Sequence, residues 1–423
     1  MSSRRWDVGR AAASIAVVVA TMTACGPARL AAPPTPEFTS AKRAEPTVPT
    51  TDIATEATHE PILPDEVEAD VRAEVQEVPV DQLVAVDDAG NAAPNRSGWD
   101  AFDDALRTRL IPSDVSASVA VMVDGQMVHR AAFGERIAGS DDPADVDDRF
   151  RIASISKTIT AIVTMQLVEA GTLSLDEPVG QIVIDHLGLT AWDAEAPGIT
   201  VRELLSHTSG FPQGEGIFFG NGASSCMDAA RQGLSGPISS GGFRYSNMNY
   251  CVLGLLIEAV TGHTYERVAH EYLLTPLGIG GMRMASTYDL GPDEVSHHPT
   301  PGRNYMETLG AAGAWDATPG DLVTILNSID PDTPGWKAVG PETASAMRYR
   351  VPTAAPPSGY GLGIINYDGG AYGHTGTIEH THAMVVTQPD GVTWAITVSG
   401  EDPGDTPQLR TIVRQAFVAG FGT

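Results

Sequence analysis

The chain has 423 residues, 42% of them hydrophobic, which is enough for a packed core and excludes disorder throughout. A formal net charge of −27 excludes nucleic acid as a partner, because a phosphate-binding surface needs clustered Lys and Arg. Lysine is confined to Lys42, Lys157 and Lys337, so a motif that needs a lysine has few chances to arise by accident.

The N-terminus reads as an export signal. Arg4 and Arg5 precede the apolar run from Ala11 to Ala20, which is too short to span a bilayer, since that needs roughly 20 apolar residues. Met22-Thr23-Ala24-Cys25 resembles a bacterial lipobox, with Met22 where Leu is usual. Cys25 is then the lipidated first residue of the mature chain, and the protein is extracytoplasmic, anchored by lipid to the outer face of the cell membrane. An ordinary secretory signal and a secreted protein is the alternative. Ser3-Arg4-Arg5 hints at twin-arginine export, although Trp6-Asp7 fits that pattern poorly. With Cys25 set aside, Cys226 and Cys251 remain as an even pair, for which an oxidising compartment makes a disulfide reasonable; two buried thiols is the other reading. Residues 26–97 are rich in Pro and Thr up to Pro64 and then acidic through Asp70, the composition of an extended stalk, with a short helix between Asp65 and Glu77 compatible with it.

A folded domain is expected over 98–423. Trp99, Phe102, Leu106 and Leu110 are spaced as one face of a helix that Pro112 ends. Ser116 to Val123, Asp124-Gly125, then Gln126 to Val128 predicts a β-hairpin with a tight turn. A long, mainly helical middle follows, from about 155 to 350. Ala383 to Thr387 and Val392 to Val398 predict a second hairpin around Pro389-Asp390-Gly391, and Gln408 to Phe421 a closing helix. Strands at both ends around a helical middle indicate an α+β fold: one antiparallel sheet built from the two chain ends, flanked by helices, with a mainly helical domain inserted.

Ser154-Ile155-Ser156-Lys157 opens an apolar helix pattern (Ile159, Ile162, Val163, Met165, Leu167, Val168). Residues three apart on a helix lie on one face, so Ser154 and Lys157 are expected to touch in its first turn. A serine hydroxyl is a weak nucleophile until a neighbouring base or cation favours its alkoxide, and a helix N-terminus adds favourable partial positive charge. Downstream stand Tyr245-Ser246-Asn247 and Gly373-His374-Thr375-Gly376-Thr377, with Leu204-Leu205-Ser206-His207-Thr208-Ser209-Gly210 between the first motif and these.

In order and spacing these elements resemble the serine β-lactamases of class C, the D-alanyl-D-alanine carboxypeptidases and their esterase relatives, over about Gly98 to the C-terminus. The resemblance implies a penicillin-binding-protein-like fold and hydrolysis of amide or ester bonds through an acyl-enzyme, with no cofactor or metal, on a peptide or ester substrate, by a monomer. It implies Ser154 as nucleophile and Lys157 with Tyr245 as proton carriers. It further implies Asn247 as a positioner of Lys157 and substrate, the N–H groups of Ser154 and Thr377 as oxyanion hole, and His374 and Thr375, beside Gly376, facing the substrate's carboxylate side. The leading substrate is a D-Ala-D-Ala peptide; carboxylesterase and β-lactamase activity, or an inactive peptidoglycan-binding role, are the alternatives.

Two departures bear on substrate. His374 stands where most β-lactamases carry lysine, and a histidine is at most partly charged at neutral pH. Ile378-Glu379-His380 replaces small residues after the last motif, so a bulkier strand end with a carboxylate is expected to narrow the cleft or disfavour an anion. His380 and His382, at i and i+2, share one face if both lie on a strand, which offers a rival zinc site, but a third ligand at suggestive spacing is missing.

Overall fold

The main sheet is built from two separated stretches, 116–133 and 365–399. The computed structural model describes residues 80–86, 92–111, 115–239, 242–349, 359–367 and 369–422. The chain divides into two units, 1–57 and 58–423, and every described residue lies in the second. The signal, Cys25 and the 65–77 segment therefore lie outside the described residues.

The folded part starts upstream of the expected boundary at 98, within the segment read as stalk. A helical turn, Val80–Leu83, leads to β1 (Val84–Val86) and β2 (Ala92–Pro94), which pair antiparallel. Leu83 is wholly buried, and Asn95 secures this piece by donating from its backbone N to Leu83 O (3.2 Å) and from Nδ2 to Gln82 O (3.0 Å). Composition averaged over the stretch hides one apolar anchor of this kind. Helix α1 (Arg96–Leu110) then buries Trp99, Phe102, Leu106 and Leu110, as their spacing predicts.

Strands β3 (Ser116–Val123) and β4 (Gln126–Phe133) form the expected hairpin, turning on Asp124 and Gly125 with φ of 47° and 75°. Both residues need the left-handed region, which is why Asp-Gly serves here. After the short strand β5 (Phe150–Arg151), helix α2 (Ser156–Glu169) runs through the centre, and all but its last few residues are buried. The helical middle adds α3 (Cys226–Ser235) and α4 (Asn247–Thr261), and the two are joined by a Cys226–Cys251 disulfide. Short strands β6 (Arg283–Met284) and β7 (Trp315–Ala317) make a three-stranded sheet with β5. Pro319–Asn327 forms α5; then come β8 (Ile365–Asn366), β9 (Tyr372–Ile378), β10 (Thr381–Thr387), β11 (Val392–Ser399) and the closing helix α6 (Thr406–Phe421).

The main sheet has the order β4-β3-β11-β10-β9-β8, all pairings antiparallel, so the last strands slot beside the first. Both faces are covered. Val119, Val121, Met384, Val386 and Ile396 join Phe102, Leu106, Val413 and Phe417 of α1 and α6 in one core. Ala120, Met122, Ala383, Val385 and Ala395 join α2 and the helical middle in the other. The period of two in β3 and β10 thus sorts side chains between two apolar layers, as an α+β fold with both sheet faces packed requires. Among the described residues no helix is long and apolar enough to cross a membrane.

Charge holds the small sheet. Arg151 Nε lies 3.2 Å from Glu294 Oε1, Arg283 Nη2 is 2.8 Å from Glu294 Oε2 and Nε is 3.0 Å from Asp316 Oδ2, while Arg149 reaches Asp316 Oδ1 at 3.4 Å. Arg151 also donates to the Ser286 and Thr287 carbonyls. Glu294 and Asp316 have no exposed side-chain surface. Removing one partner of a buried pair strands the other charge, at a cost of about 3–5 kcal/mol, whereas an exposed pair contributes about 1 kcal/mol or less. Glu294→Ala is therefore expected to lower urea-unfolding stability by about 3 kcal/mol or more, against about 1 kcal/mol or less for Asp176→Ala, which breaks the exposed Arg202–Asp176 pair.

Candidate active site

Strand β5 delivers the chain to a tight turn. Ile152 donates its N–H to Trp315 O (3.1 Å), and Ala153 then takes φ 45°, a region that side chains other than Gly seldom adopt. Ser154 sits in the resulting single 3₁₀ turn, Ala153–Ile155, so α2 starts two residues later than the sequence pattern predicts. The contact expected from the spacing is nevertheless made: Lys157 Nζ lies 2.9 Å from Ser154 Oγ.

Two further oxygens surround Nζ. Asn247 Oδ1 is 2.8 Å away and the Ala312 carbonyl oxygen 2.8 Å. Asn247 is the first residue of α4, and Ser246 caps that helix, accepting from Met248 N (3.3 Å) and donating to Pro212 O (2.6 Å). Ala312 closes a 3₁₀ turn, Gly310–Ala312. The Tyr245 ring centroid is 5.0 Å from Nζ and that of Tyr250 is 5.9 Å.

Lys157 is wholly buried, and burial drives its pKa well below the ordinary lysine value. The donor inventory suits the neutral form that burial favours. Nζ donates to Asn247 Oδ1 and Ala312 O, which can only accept, and stands 2.9 Å from Ser154 Oγ, so that in the neutral form its lone pair is open to the hydroxyl hydrogen of Ser154. A buried amine paired with a serine hydroxyl in this way can take its proton.

Strand β9 closes the other side. Gly376 has no room for a side chain: a Cβ would press into the Ile152 carbonyl oxygen and lie 3.1 Å from the Ser154 nitrogen. The N–H of Ser154 and the strand end at Thr377 are thereby brought side by side. Strand β8 pairs with β9 only at Tyr372 and Gly373.

His374, which the resemblance places toward the substrate, has both ring nitrogens engaged internally. It is wholly buried; Tyr360 Oη donates to its Nε2 (2.9 Å), and its Nδ1 donates to the Thr375 carbonyl (2.6 Å). Burial holds the ring neutral, with its pKa lowered to about 3. It is the only basic residue of β9 and is spent on an internal contact. Thr375, 5% exposed, is also buried.

Glu379 is tied down by contacts of its own. In the turn between β9 and β10 its Oε2 accepts from Thr300 N (2.8 Å), and Arg303 lies 3.5 Å from Oε1. Asn221 Nδ2 donates to Gly302 O (2.6 Å), so the 288–304 loop ties this turn to the 211–225 loop. His380 occupies the turn with φ 56°, off the strand, whereas His382 lies on β10 with Nδ1 3.1 Å from Thr377 Oγ1. The shared strand face that a zinc site needs is not formed by this pair.

Two contributors escape a reading of motifs. Tyr360 is flanked by Gly359 and Gly361 and carries no signature. Ala312 acts through its carbonyl, which side-chain identity cannot reveal. His207, within the stretch ending at Gly210, accepts at Nδ1 from Ser246 N (3.2 Å) and Asn249 Nδ2 (3.0 Å), and its ring packs 4.3 Å from that of Tyr245. Burial, with Lys157 and His374 nearby, keeps it neutral.

The chain has relatives among known proteins. The family model described as Beta-lactamase matches residues 104–417. The chain belongs to the beta-lactamase family. It is 28% identical over 336 residues to penicillin-binding protein 4 of Amycolatopsis lactamdurans, covering 71% of this chain and 84% of that protein. An esterase of Burkholderia gladioli is 31% identical over 198 residues, or 42% of this chain and 48% of the esterase, so that match spans about half of it. Among solved structures, a D-stereospecific amidohydrolase from Streptomyces sp. matches with TM-score 0.59 and 23% identity over 77% of this chain and 99% of that one, a likeness of fold. The protein is a serine hydrolase of this family, in which a Ser-x-x-Lys acyl-enzyme mechanism is standard.

Two outcomes follow from this geometry. Gly376→Ala forces β9 off the Ile152–Ser154 turn, and a displacement of about 1 Å at a reacting centre costs about 10²-fold; hydrolysis of a short-chain ester is expected to fall by that order, read from steady-state kcat/KM. The second concerns acid. Burial lowers the pKa values of His374, His382 and the half-buried His297 to about 3, 4 and 4, while the unfolded chain takes up protons below about 6.5. At these three groups the native state binds fewer protons, so their contribution to stability is full above about pH 6.5 and is lost as pH falls towards 4, opposed in part by Asp316, whose carboxyl burial raises to about 6. Urea midpoints measured from pH 7 to 4 should drop over that interval, and less steeply in His382→Gln.

Proposed function

We propose that the protein is an exported, lipid-anchored hydrolase that cleaves amide or ester bonds through an acyl-enzyme on Ser154, with D-Ala-D-Ala-like cell-wall peptides as substrate class. The observation that carries this reading is the buried Lys157 amine, 2.9 Å from Ser154 Oγ, with its two remaining contacts to pure acceptors. The substrate class draws on the penicillin-binding relative and on the D-stereospecific amidohydrolase with a similar fold. Export draws on the signal pattern before Cys25 and accords with a disulfide between Cys226 and Cys251.

In the proposed cycle Ser154 Oγ attacks the substrate carbonyl carbon while its proton passes to Lys157 Nζ. The oxyanion accepts hydrogen bonds from the N–H groups of Ser154 and Thr377, each worth on the order of 10²–10³ in rate. Collapse breaks the bond to the leaving group, which takes the proton by way of Lys157 and Tyr245, and Ser154 is left acylated. Water then attacks the ester by the reverse route. Asn247 holds Lys157 through Oδ1, which leaves its Nδ2 for the substrate.

The state of His374 favours a second reading. Both ring nitrogens are engaged internally, so β9 supplies no cation for a substrate carboxylate. Neutral esters or amides then become the better substrates, as in a carboxylesterase.

Time-resolved intact mass of the protein with a penicillin, a D-Ala-D-Ala peptide and a short-chain ester, beside Ser154→Ala, tests the assignment. An acyl adduct on the wild type alone is expected, and an adduct of equal extent on the variant would sink Ser154 as nucleophile. Preference for the peptide supports the first reading, and preference for the ester the second. Lys157→Ala should lose on the order of 10²–10⁴ in kcat/KM. The wild-type pH profile should show an acidic limb below the ordinary lysine range, with no step from His374, which stays neutral down to about pH 3.

A further inference from the structure

The Cys226–Cys251 disulfide lies one layer behind Lys157 and touches both of the elements that fix its amine. Cys251 stands one turn after Asn247 on α4, and residues four apart share a helix face. Cys226 opens α3 and backs onto Gly310, where a Cβ would lie 2.8 Å from Cys226 Cβ and 3.2 Å from its Sγ. Gly310, with φ 50°, starts the 3₁₀ turn whose Ala311 carbonyl accepts from Thr160 Oγ1 (2.7 Å) and whose Ala312 carbonyl accepts from Lys157 Nζ (2.8 Å). Gly254 of α4 packs on the same turn, 2.6 Å from Ala311 Cβ by the position of a built Cβ. One covalent bond thus clamps α3 to α4 with the 310–312 turn held against them.

The clamp is within reach of solvent. Cys226 is half-buried and lines an open cavity of about 300 Å³ together with Met227, Leu255, Thr264, Gly310 and Ala311. A small thiol entering there comes up against Cys226, whereas Cys251 is fully buried.

We infer that the Cys226–Cys251 disulfide is a positioning element for Lys157, and that its reduction by a small dithiol lowers hydrolysis while the domain stays folded. The inference rests on the reading of Lys157 as the base. The dithiol supplies two electrons and two protons and closes to its own disulfide; the protein S–S bond breaks, and Cys226 and Cys251 become thiols. With the clamp released, the 310–312 turn and the start of α4 separate, and water reaches the Lys157 amine. Lys157 is then less desolvated, so the base needs a higher pH to become neutral, and it is held less closely to Ser154. The other groups facing Lys157 are His207 and His374, kept neutral by burial, Tyr250, whose phenol burial pushes up, and Tyr245. The acidic limb of the rate profile therefore reports on Lys157 with its Tyr245 neighbour.

The test uses the intact protein treated with dithiothreitol, followed by iodoacetamide mass counting, near-UV circular dichroism and kcat/KM for a p-nitrophenyl ester from pH 5 to 9. The expected result is two more alkylated cysteines than in untreated protein and an unchanged dichroism spectrum. With them come a fall of about 10-fold at pH 7 and an acidic limb moved upward by about half a pH unit or more, reversed on reoxidation. The Cys226→Ser/Cys251→Ser double variant should reproduce the shift without any reductant. Full alkylation with rate and limb unchanged would overturn the positioning role, as would a loss that only tracks unfolding. Lys157→Ala, run alongside, separates the two readings: a limb that survives in it overturns the assignment of the base, whereas a wild-type limb unmoved by reduction overturns the clamp alone.

Discussion

Everything at this site depends on keeping one amine dry. Lys157 is buried with a hydroxyl, an amide oxygen and a backbone carbonyl as its partners, and it has no carboxylate among them. A carboxylate at that distance would stabilise the ammonium and remove the base. Burial alone destabilises the charge, while the two pure acceptors satisfy the N–H bonds of the neutral form. The fold has to supply a cavity that is polar enough to hold an amine and too poor in charge to protonate it.

Several elements converge to make that cavity, and each is held by its own physical device. The nucleophile turn is tied to β7 through Ile152 and to the buried Arg–carboxylate cluster through Arg149 and Arg151. Asn247 is placed by a capped helix start, and Ala312 by a 3₁₀ turn backed by the disulfide. Strand β9 reaches the turn because Gly376 has no side chain. Charge is thus present close by, but it is spent on anchoring the walls and does not reach the amine.

Around the amine the aromatic shell does similar work. Tyr245, Tyr250 and Tyr360 surround His207, whose ring accepts from the backbone at the start of α4. Tyr360 takes up His374, so the position at which most β-lactamases carry lysine holds a neutral ring with both nitrogens engaged. Glu379, which looks in the sequence like a charge at the cleft edge, is instead a tie for the 288–304 loop.

The sequence by itself determined the architecture and the centre of the site. Period-two and helical apolar patterns name their elements locally, which is why both hairpins, α1 and α6 were legible, and Ser154 and Lys157 meet because three residues of near-helical chain bring them together. Tyr245, Asn247 and Gly376 were legible through motif order, since a short motif carries its own backbone geometry. Tertiary structure alone decided the rest. The direction of His374 depends on Tyr360, fourteen residues away, and the fate of Glu379 on Arg303 and Thr300, far upstream. Leu83 anchors a piece that composition assigned to the stalk. Ala312 and Gly310 matter through a carbonyl and a missing side chain, neither of which leaves a pattern. What a residue becomes when its partner is distant in sequence is set by packing, and local sequence holds no record of that partner.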